Sequence, residues 1–292
     1  MKKIAVIGIP GGWSSELLAD TVAKKTGFRA LVELKDCALD LERGEMFDAK
    51  VKLHEMDAII VKKAGRYYSP HLIDRLEMLR YLRQRRNIPI FSDPERIIRV
   101  LDRLTCTVTL AANDIPMPPT AITEDPDQAL AFVERYGRAV FKPLYSTKAR
   151  GMEVIEAGPA ARHEIEGFHE TNQVMYLQRM VSHIGMDLGV TFLGGEYLAT
   201  YARKGSGESW NTTTRSGGKY VPYEPSKEII DLAHRAQCLF NLDFTCVDIV
   251  ETNEGPMCFE VSAFGGFRGL QEANNIDAAD RYVDYVLGRI GA

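Results

Sequence analysis

The stretch Cys246 to Gly269, CVDIVETNEGPMCFEVSAFGGFRG, constrains this chain more than any other. It reads as two short strands around a tight turn, with Asn253-Glu254-Gly255 at the tip. With the hairpin centred on Glu254, Asp248 lies directly across from Glu260. Side chains alternate along a strand, so Asp248, Cys258, Glu260 and Ser262 share one face, and Val247, Ile249, Phe259 and Val261 share the other. The second face is wholly apolar and has to be buried, and it carries two opposed carboxylates on its back. Cross-strand partners sit about 5 Å apart, where like charges repel. A divalent cation between them removes that penalty and accepts hard oxygen ligands. The pattern points to Mg²⁺ arriving with a nucleotide. Taken alone it fits equally well an ordinary half-solvated hairpin with both acids in water.

The totals narrow the setting. A chain of 292 residues, 45% hydrophobic and 26% charged, has the composition of a soluble globular protein of about two domains. A formal charge of -4 leaves no basic excess for nucleic acid. The run Arg83-Gln84-Arg85-Arg86 ends a predicted helix, where positive charge complements the dipole. Five cysteines form no CxxC pair, and six scattered histidines show no zinc spacing. The apolar run at Ile4–Gly8 is too short for a signal segment, and nothing approaches a membrane span. The expectation is a cytoplasmic enzyme with neither nucleic-acid nor membrane partners.

Taken in order, Lys3–Ile9 is a buried strand, followed by the Gly-rich turn Pro10-Gly11-Gly12-Trp13 and a helix beginning near Ser14. Such a turn can offer backbone N–H groups to an anion, but GIPGGW is not a dinucleotide fingerprint and also fits a plain tight turn. Asp57–Lys62 is a strand, Pro70–Arg85 a helix with Ile73, Leu76, Leu79 and Leu82 at helical spacing, and Ile88–Phe91 a third strand. This alternation argues a small parallel α/β unit. Asp93-Pro94 opens a helix to about Ala112, and the three-proline loop Asn113–Pro119 marks a candidate boundary. Gly137–Pro143 is a strand that turns Lys142 to the side of Val140; a lysine there either meets an anion or snorkels at an edge. The basic loop Leu144–Gly151 leads to a strand from Met152 to Ile155. Val174–Val181 is a strand, and Met186–Phe192 with Tyr197–Arg203 forms a hairpin over Gly194-Gly195. The long polar loop from Lys204 to Gly218 has the length of a functional or disordered segment. Amphipathic helices cover Ser226–Phe240 and Asp277–Ile290.

In this order the signals resemble the ATP-grasp superfamily, specifically the RimK-like carboxylate–amine ligases, over essentially the whole chain. Phe141-Lys142-Pro143 resembles the strand whose lysine meets nucleotide phosphates, and Leu177-Gln178-Arg179-Met180-Val181 the hinge that bonds adenine. Asp187 is similar to an acidic residue near the ribose. Arg203, with Trp210-Asn211 and Arg215-Ser216-Gly217-Gly218, resembles the phosphate and acyl-phosphate side. Asp248 and Glu260 resemble the metal ligands, with Ser262 as a third. The resemblance implies an α/β and α+β ATP-grasp fold. Residues 1–95 would form a parallel α/β domain and residues 96–292 the ATP-grasp domain, with a lid at about 113–176 and a C-terminal antiparallel sheet.

The implied activity is ATP-dependent amide formation through an acyl phosphate, with Mg²⁺, or Mn²⁺ in its place. The acid and amine would be small molecules, peptides or a protein tail, in a dimer or tetramer. The resemblance assigns ATP binding to Lys142, Lys148, Gln178, Arg179, Met180, Val181, Asp187 and Asn211. It assigns charge stabilisation to Arg203 and Arg215. Arg268 would hold a substrate carboxylate, because its planar fork suits one. The chain departs from the family pattern at Ser262, where asparagine is usual, at Gly189, where arginine is expected, and in Ala263-Phe264-Gly265-Gly266-Phe267-Arg268-Gly269. It is also similar to a subgroup linked to the so-called GAK gene clusters. These departures leave two alternatives: a nucleotide-binding regulator without turnover, and an enzyme with a non-amine acceptor.

Overall fold

Short uninterrupted runs of Ile, Val and Ala build the first sheet. The computed structural model describes residues 2–147, 149–182, 185–205 and 218–291. β1 (Ile4–Ile7) leads through the glycine turn to α1 (Trp13–Thr26), then to β2 (Leu31–Val32) and a small hairpin, β3 (Ala38–Asp40) with β4 (Glu45–Phe47). β5 (Ala58–Val61), α2 (His71–Arg86) and β6 (Ile90–Phe91) complete a parallel sheet of order β2-β1-β5-β6. β1, β5 and β6 thus fall where the Ile/Val runs predict, while β2 and the β3–β4 hairpin are additions to the sequence reading. α2 buries Leu72, Leu76, Leu79 and Leu82, so Leu72 rather than Ile73 begins its apolar stripe. The amides of the glycine turn are satisfied internally. Ile9 N donates to Ser15 Oγ at 3.1 Å and Gly11 N to Glu16 Oε1 at 2.7 Å.

The single helix expected from Asp93 to Ala112 is two. α3 (Pro94–Leu101) has Asp93 as its cap, accepting from Glu95 N, and α4 (Arg103–Ala111) starts anew after Asp102. Asp102 is extended, and its carboxylate accepts from Leu104 N at 3.0 Å, so an N-cap inside the apolar pattern breaks the helix. The break places Arg103 at the first position of α4.

A second, antiparallel sheet follows, built from β7 (Thr120–Thr123), β8 (Arg138–Lys142), β9 (Glu153–Glu156) and β10 (Met175–Arg179) in the order β7-β10-β8-β9. Two helices absent from the sequence reading, α5 (Pro126–Tyr136) and α6 (Ala161–Thr171), cover one face through Ala129, Val133, Ile165 and Phe168. The other face carries Val140, Lys142 and Gln178 toward the cleft described below.

The third sheet contains β11 (Met186–Leu193), β12 (Glu196–Lys204), β13 (Lys219–Pro222), β14 (Phe244–Thr252) and β15 (Gly255–Ser262), ordered β13-β12-β11-β14-β15. α7 (Lys227–Cys238), capped by Ser226, packs Ile229, Leu232, Ala233 and Ala236 in one core with Leu188, Val190, Val247, Ile249 and Val261. Against the opposite side lie α8 (Phe267–Asn274) and α9 (Ala278–Arg289).

One row across this sheet explains a departure from the family pattern. Glu260 faces Asp248, Asp248 faces Gly189, and Gly189 faces Tyr201. A Cβ at Gly189 would lie 2.4 Å from the Tyr201 ring, and Cβ atoms at Gly266 and Gly269 would come within 2.6 Å of the same side chain. The buried phenol occupies the space an arginine at 189 would need, and α8 closes over it through two glycines. Gly189→Ala is expected to lower the urea-unfolding free energy by about 2 kcal/mol through overpacking. In a Tyr201→Leu background the same change should cost less than about 1 kcal/mol. An equal loss in both backgrounds would show that the ring is not what fills the space.

Candidate functional site

The carboxylate pair forms by a route the alternation rule did not contain. The hairpin turn is two residues, Asn253 and Glu254, so Thr252 faces Gly255 and Ile249 faces Cys258. Carried on, that register would place Asp248 opposite Phe259. A β-bulge between Asp248 and Ile249 absorbs one residue and brings Asp248 opposite Glu260. The bulge also corrects the face assignment. Cys258 packs in the core with Val247, Ile249 and Val261, whereas Phe259 joins Glu260 on the open face.

That face borders a cleft of about 550 Å³ between the two antiparallel sheets. Among the described residues seven cationic side chains line it, Lys63, Arg66, Arg103, Lys142, Arg150, Arg179 and Arg203, against three acids, Asp187, Asp248 and Glu260. On a chain of net charge -4 this is a local concentration of positive charge suited to a polyanion.

Lys142 ends β8, and its amine donates to Gln178 Oε1 on the neighbouring β10. Gln178 is itself fixed, its amide donating to Thr120 Oγ1 at 2.9 Å and Tyr176 Oη at 3.0 Å. Burial, then the neighbouring Arg103, lowers the Lys142 amine to about 7, with Glu260 pulling the other way. Arg203 is clamped between two aspartates. Nε meets Asp187 Oδ2 at 2.7 Å, Nη2 bonds the same oxygen, and Nη2 also lies 2.9 Å from Asp248 Oδ1. Burial raises the Asp248 carboxyl to about 6 despite Arg203, and Asp187 and Glu260 add to the rise.

Met180 and Val181 continue from β10 along the cleft. Arg179 reaches across to Glu254 at the hairpin tip, 2.5 Å away. Ser262 shares the wall with Glu260. The donor set is therefore two carboxylates and a hydroxyl, all hard oxygens, which suits a small divalent cation. Among the described residues no group of three or more His, Cys, Asp and Glu is placed to hold a metal. Arg268 sits on the first turn of α8, beside cleft-lining Gly266. It is 57% exposed, with its guanidinium 5.2 Å from the Trp13 ring centre and 3.8 Å from Glu272, and it is not among the lining residues. Lys148, Asn211 and Arg215, with Trp210, lie outside the described residues.

Arg103 went unnoticed in the sequence. Its guanidinium donates to the carbonyls of Pro143 at 3.2 Å and Ser146 at 3.1 Å, holding the start of the basic loop after β8. The available signal was Asp102 as a cap, which would have shown that a new helix begins at Arg103. Lys63 and Arg66, from the loop after β5, likewise receive no site role from the sequence, because cations in a loop carry no periodic signal.

Two facing antiparallel sheets around a cationic cleft, with opposed carboxylates on one wall, define an ATP-grasp protein. Residues 100–286 match the RimK-like ATP-grasp domain, and the chain belongs to that family. It is 24% identical over 241 residues to the tetrahydromethanopterin:alpha-L-glutamate ligase of Methanocaldococcus jannaschii, covering 80% of each chain. To the ribosomal protein bS6–L-glutamate ligase of Escherichia coli O139:H28 it is 26% identical over 240 residues, covering 80% of this chain and 78% of the other. The structure of the ATP-grasp ligase PsnB with a phosphomimetic variant of its minimal precursor, Mg and ADP superposes at a TM-score of 0.77. It shares 16% identity over 99% of both chains and thus the fold. By class the chain is a carboxylate–amine ligase.

The lowered Lys142 amine sets a pH dependence. Above about 7 the free protein loses this proton, while bound phosphates favour the charged form. ADP binding is therefore expected to take up a proton at pH 8 and to weaken by up to about tenfold per pH unit above 7. Calorimetry in buffers of different ionisation enthalpy reads both effects, and both should vanish in Lys142→Met. Proton uptake that survives the substitution would assign it to another group.

Proposed function

We propose that this chain activates a carboxylate with ATP and joins it to an amine. The observation that carries the reading is the Asp248–Glu260 pair on a cleft wall otherwise crowded with cations. Asp248, Glu260 and Ser262 would hold Mg²⁺, or Mn²⁺ in its place, which when bound supplies positive charge against the phosphates. Lys142, oriented by Gln178, meets the phosphate chain. Arg179, Met180 and Val181 border the base, with Asp187 nearby. Lys148 and Asn211, carried by the family resemblance, would add to the nucleotide contacts.

In the first step a carboxylate oxygen attacks the γ-phosphorus and the bond to the ADP oxygen breaks, giving an acyl phosphate. Charge builds on the transferring oxygens, and Lys142 and Arg203, already fixed by their partners, offset it; the family resemblance adds Arg215. In the second step a neutral amine attacks the acyl carbon. The C–O bond to phosphate breaks and the nitrogen sheds a proton. The excess of cations keeps both anionic products bound until the amide has formed.

The acid and amine are small molecules or peptides, in keeping with relatives named for joining L-glutamate to a pterin or to a ribosomal protein. Arg268, next but one to cleft-lining Gly266, is the candidate for meeting a substrate carboxylate, chosen for its planar fork.

The test is ADP release and hydroxamate formation with ATP, Mg²⁺ and hydroxylamine across a panel of amino acids, N-acetylamino acids and dicarboxylates. The wild type is expected to yield a hydroxamate with at least one acid. Glu260→Gln should lower turnover at least about 100-fold while leaving the melting temperature within a few degrees. Normal ATP consumption by that folded variant would remove Glu260 from the site.

A further inference from the structure

Lys62 is a buried amine that the reaction above does not use, and burial lowers its pKa well below the ordinary lysine value. It follows β5 directly and is 2% exposed. Its amine lies 3.8 Å from the centre of the Phe267 ring and 5.8 Å from that of Phe244. Among the described residues no carboxylate lies within ion-pair reach of it. It donates instead to two main-chain carbonyls, Phe264 O at 2.6 Å and Gly265 O at 3.0 Å. Burying a lysine amine among aromatic rings costs desolvation whether it is charged or neutral, and a methionine would fill such an apolar site without that cost. Packing alone therefore does not account for a lysine here.

The two carbonyls belong to the turn that leaves β15 immediately after Glu260 and Ser262. Ala263, Phe264, Gly265 and Gly266 all line the cleft. Gly265 has φ +50°, and a Cβ there would lie 2.2 Å from the Phe244 ring, so the turn has little freedom on that side. On the other side Lys62 holds its carbonyls. The next residue, Lys63, lines the cleft, as does Arg66 from the same loop. One buried amine thus ties the cationic loop of the parallel unit to the strand end that carries the metal-binding oxygens. Lys142 and Gln178, by contrast, come from the second sheet, on β8 and β10.

We propose that Lys62 is a positioning residue for the acid-binding end of the cleft. Through the Phe264 and Gly265 carbonyls it sets the separation between the wall bearing Lys63 and Arg66 and the wall bearing Glu260 and Ser262. The proposal rests on the ligase reading and its placing of the carboxylate substrate near Gly266 and Arg268, next to the turn that Lys62 holds.

Lys62→Met tests it with two readouts. Hydrogen exchange by mass spectrometry should show the amides of residues 264–269 exchanging at least tenfold faster, with residues 186–204 unchanged. In the hydroxamate assay the KM for the activated acid should rise at least tenfold, while ADP affinity stays within twofold of the wild type. Equal exchange in the two proteins overturns the anchoring, whatever the assay shows. Faster exchange with an unchanged acid KM overturns the positioning role and leaves Lys62 as a packing feature only. A wild type silent across the whole panel is instead a failure of the ligase reading. In that case the exchange measurement still decides whether Lys62 holds the turn.

Discussion

Asp248 and Glu260 face each other across β14 and β15, and the rest of the site is arranged around the repulsion between them. Desolvation raises the Asp248 carboxyl to about 6, which shows how little the surroundings favour its charge. Arg203 offsets part of that cost from one side, itself steadied by Asp187. The remaining imbalance suits a divalent cation, and the ring of cations around it suits the phosphates such an ion accompanies. The cleft's carboxylates all stand on the third sheet, interleaved with Arg203 and bordered by lysine and arginine from the other elements.

Rigidity in this site comes from buried polar contacts more than from apolar packing. Gln178 holds Lys142 while being held by Thr120 and Tyr176. Arg103 fixes the start of the basic loop through two carbonyls. Lys62 does the same for the turn after β15. In each case a long basic side chain bonds main-chain or amide oxygens and sets a distance that hydrophobic contact would leave loose. Electrostatic catalysis depends on donors already in place, so such fixed distances serve the chemistry directly.

The departures from the family pattern have different physical standing. Gly189 is compensated, because the Tyr201 ring takes the space and Gly266 and Gly269 allow α8 to close over it. The glycine-rich segment after Glu260 belongs to the same accommodation. Ser262 keeps an oxygen on the cleft wall beside Glu260, although a hydroxyl reaches less far than an amide.

Local patterns in the chain determined much of this protein without a structure. The Ile/Val runs specified β1, β5 and β6, the apolar stripe from Ile229 to Phe240 specified α7, and the pattern from Cys246 to Ser262 specified a hairpin with one acid on each strand. Period and turn chemistry are properties of neighbouring residues, so the sequence carries them directly. Tertiary structure decided what depends on distant partners. A bulge, not a symmetric turn, aligns the two acids and moves Phe259 to the cleft and Cys258 to the core. An aspartate cap divides α3 from α4 and turns Arg103 inward. Lys63 and Arg66 acquire meaning only because the loop after β5 meets the end of β15. Long-range contacts of this kind arise when separate surfaces bury each other, and no window along the chain contains both sides of such a contact.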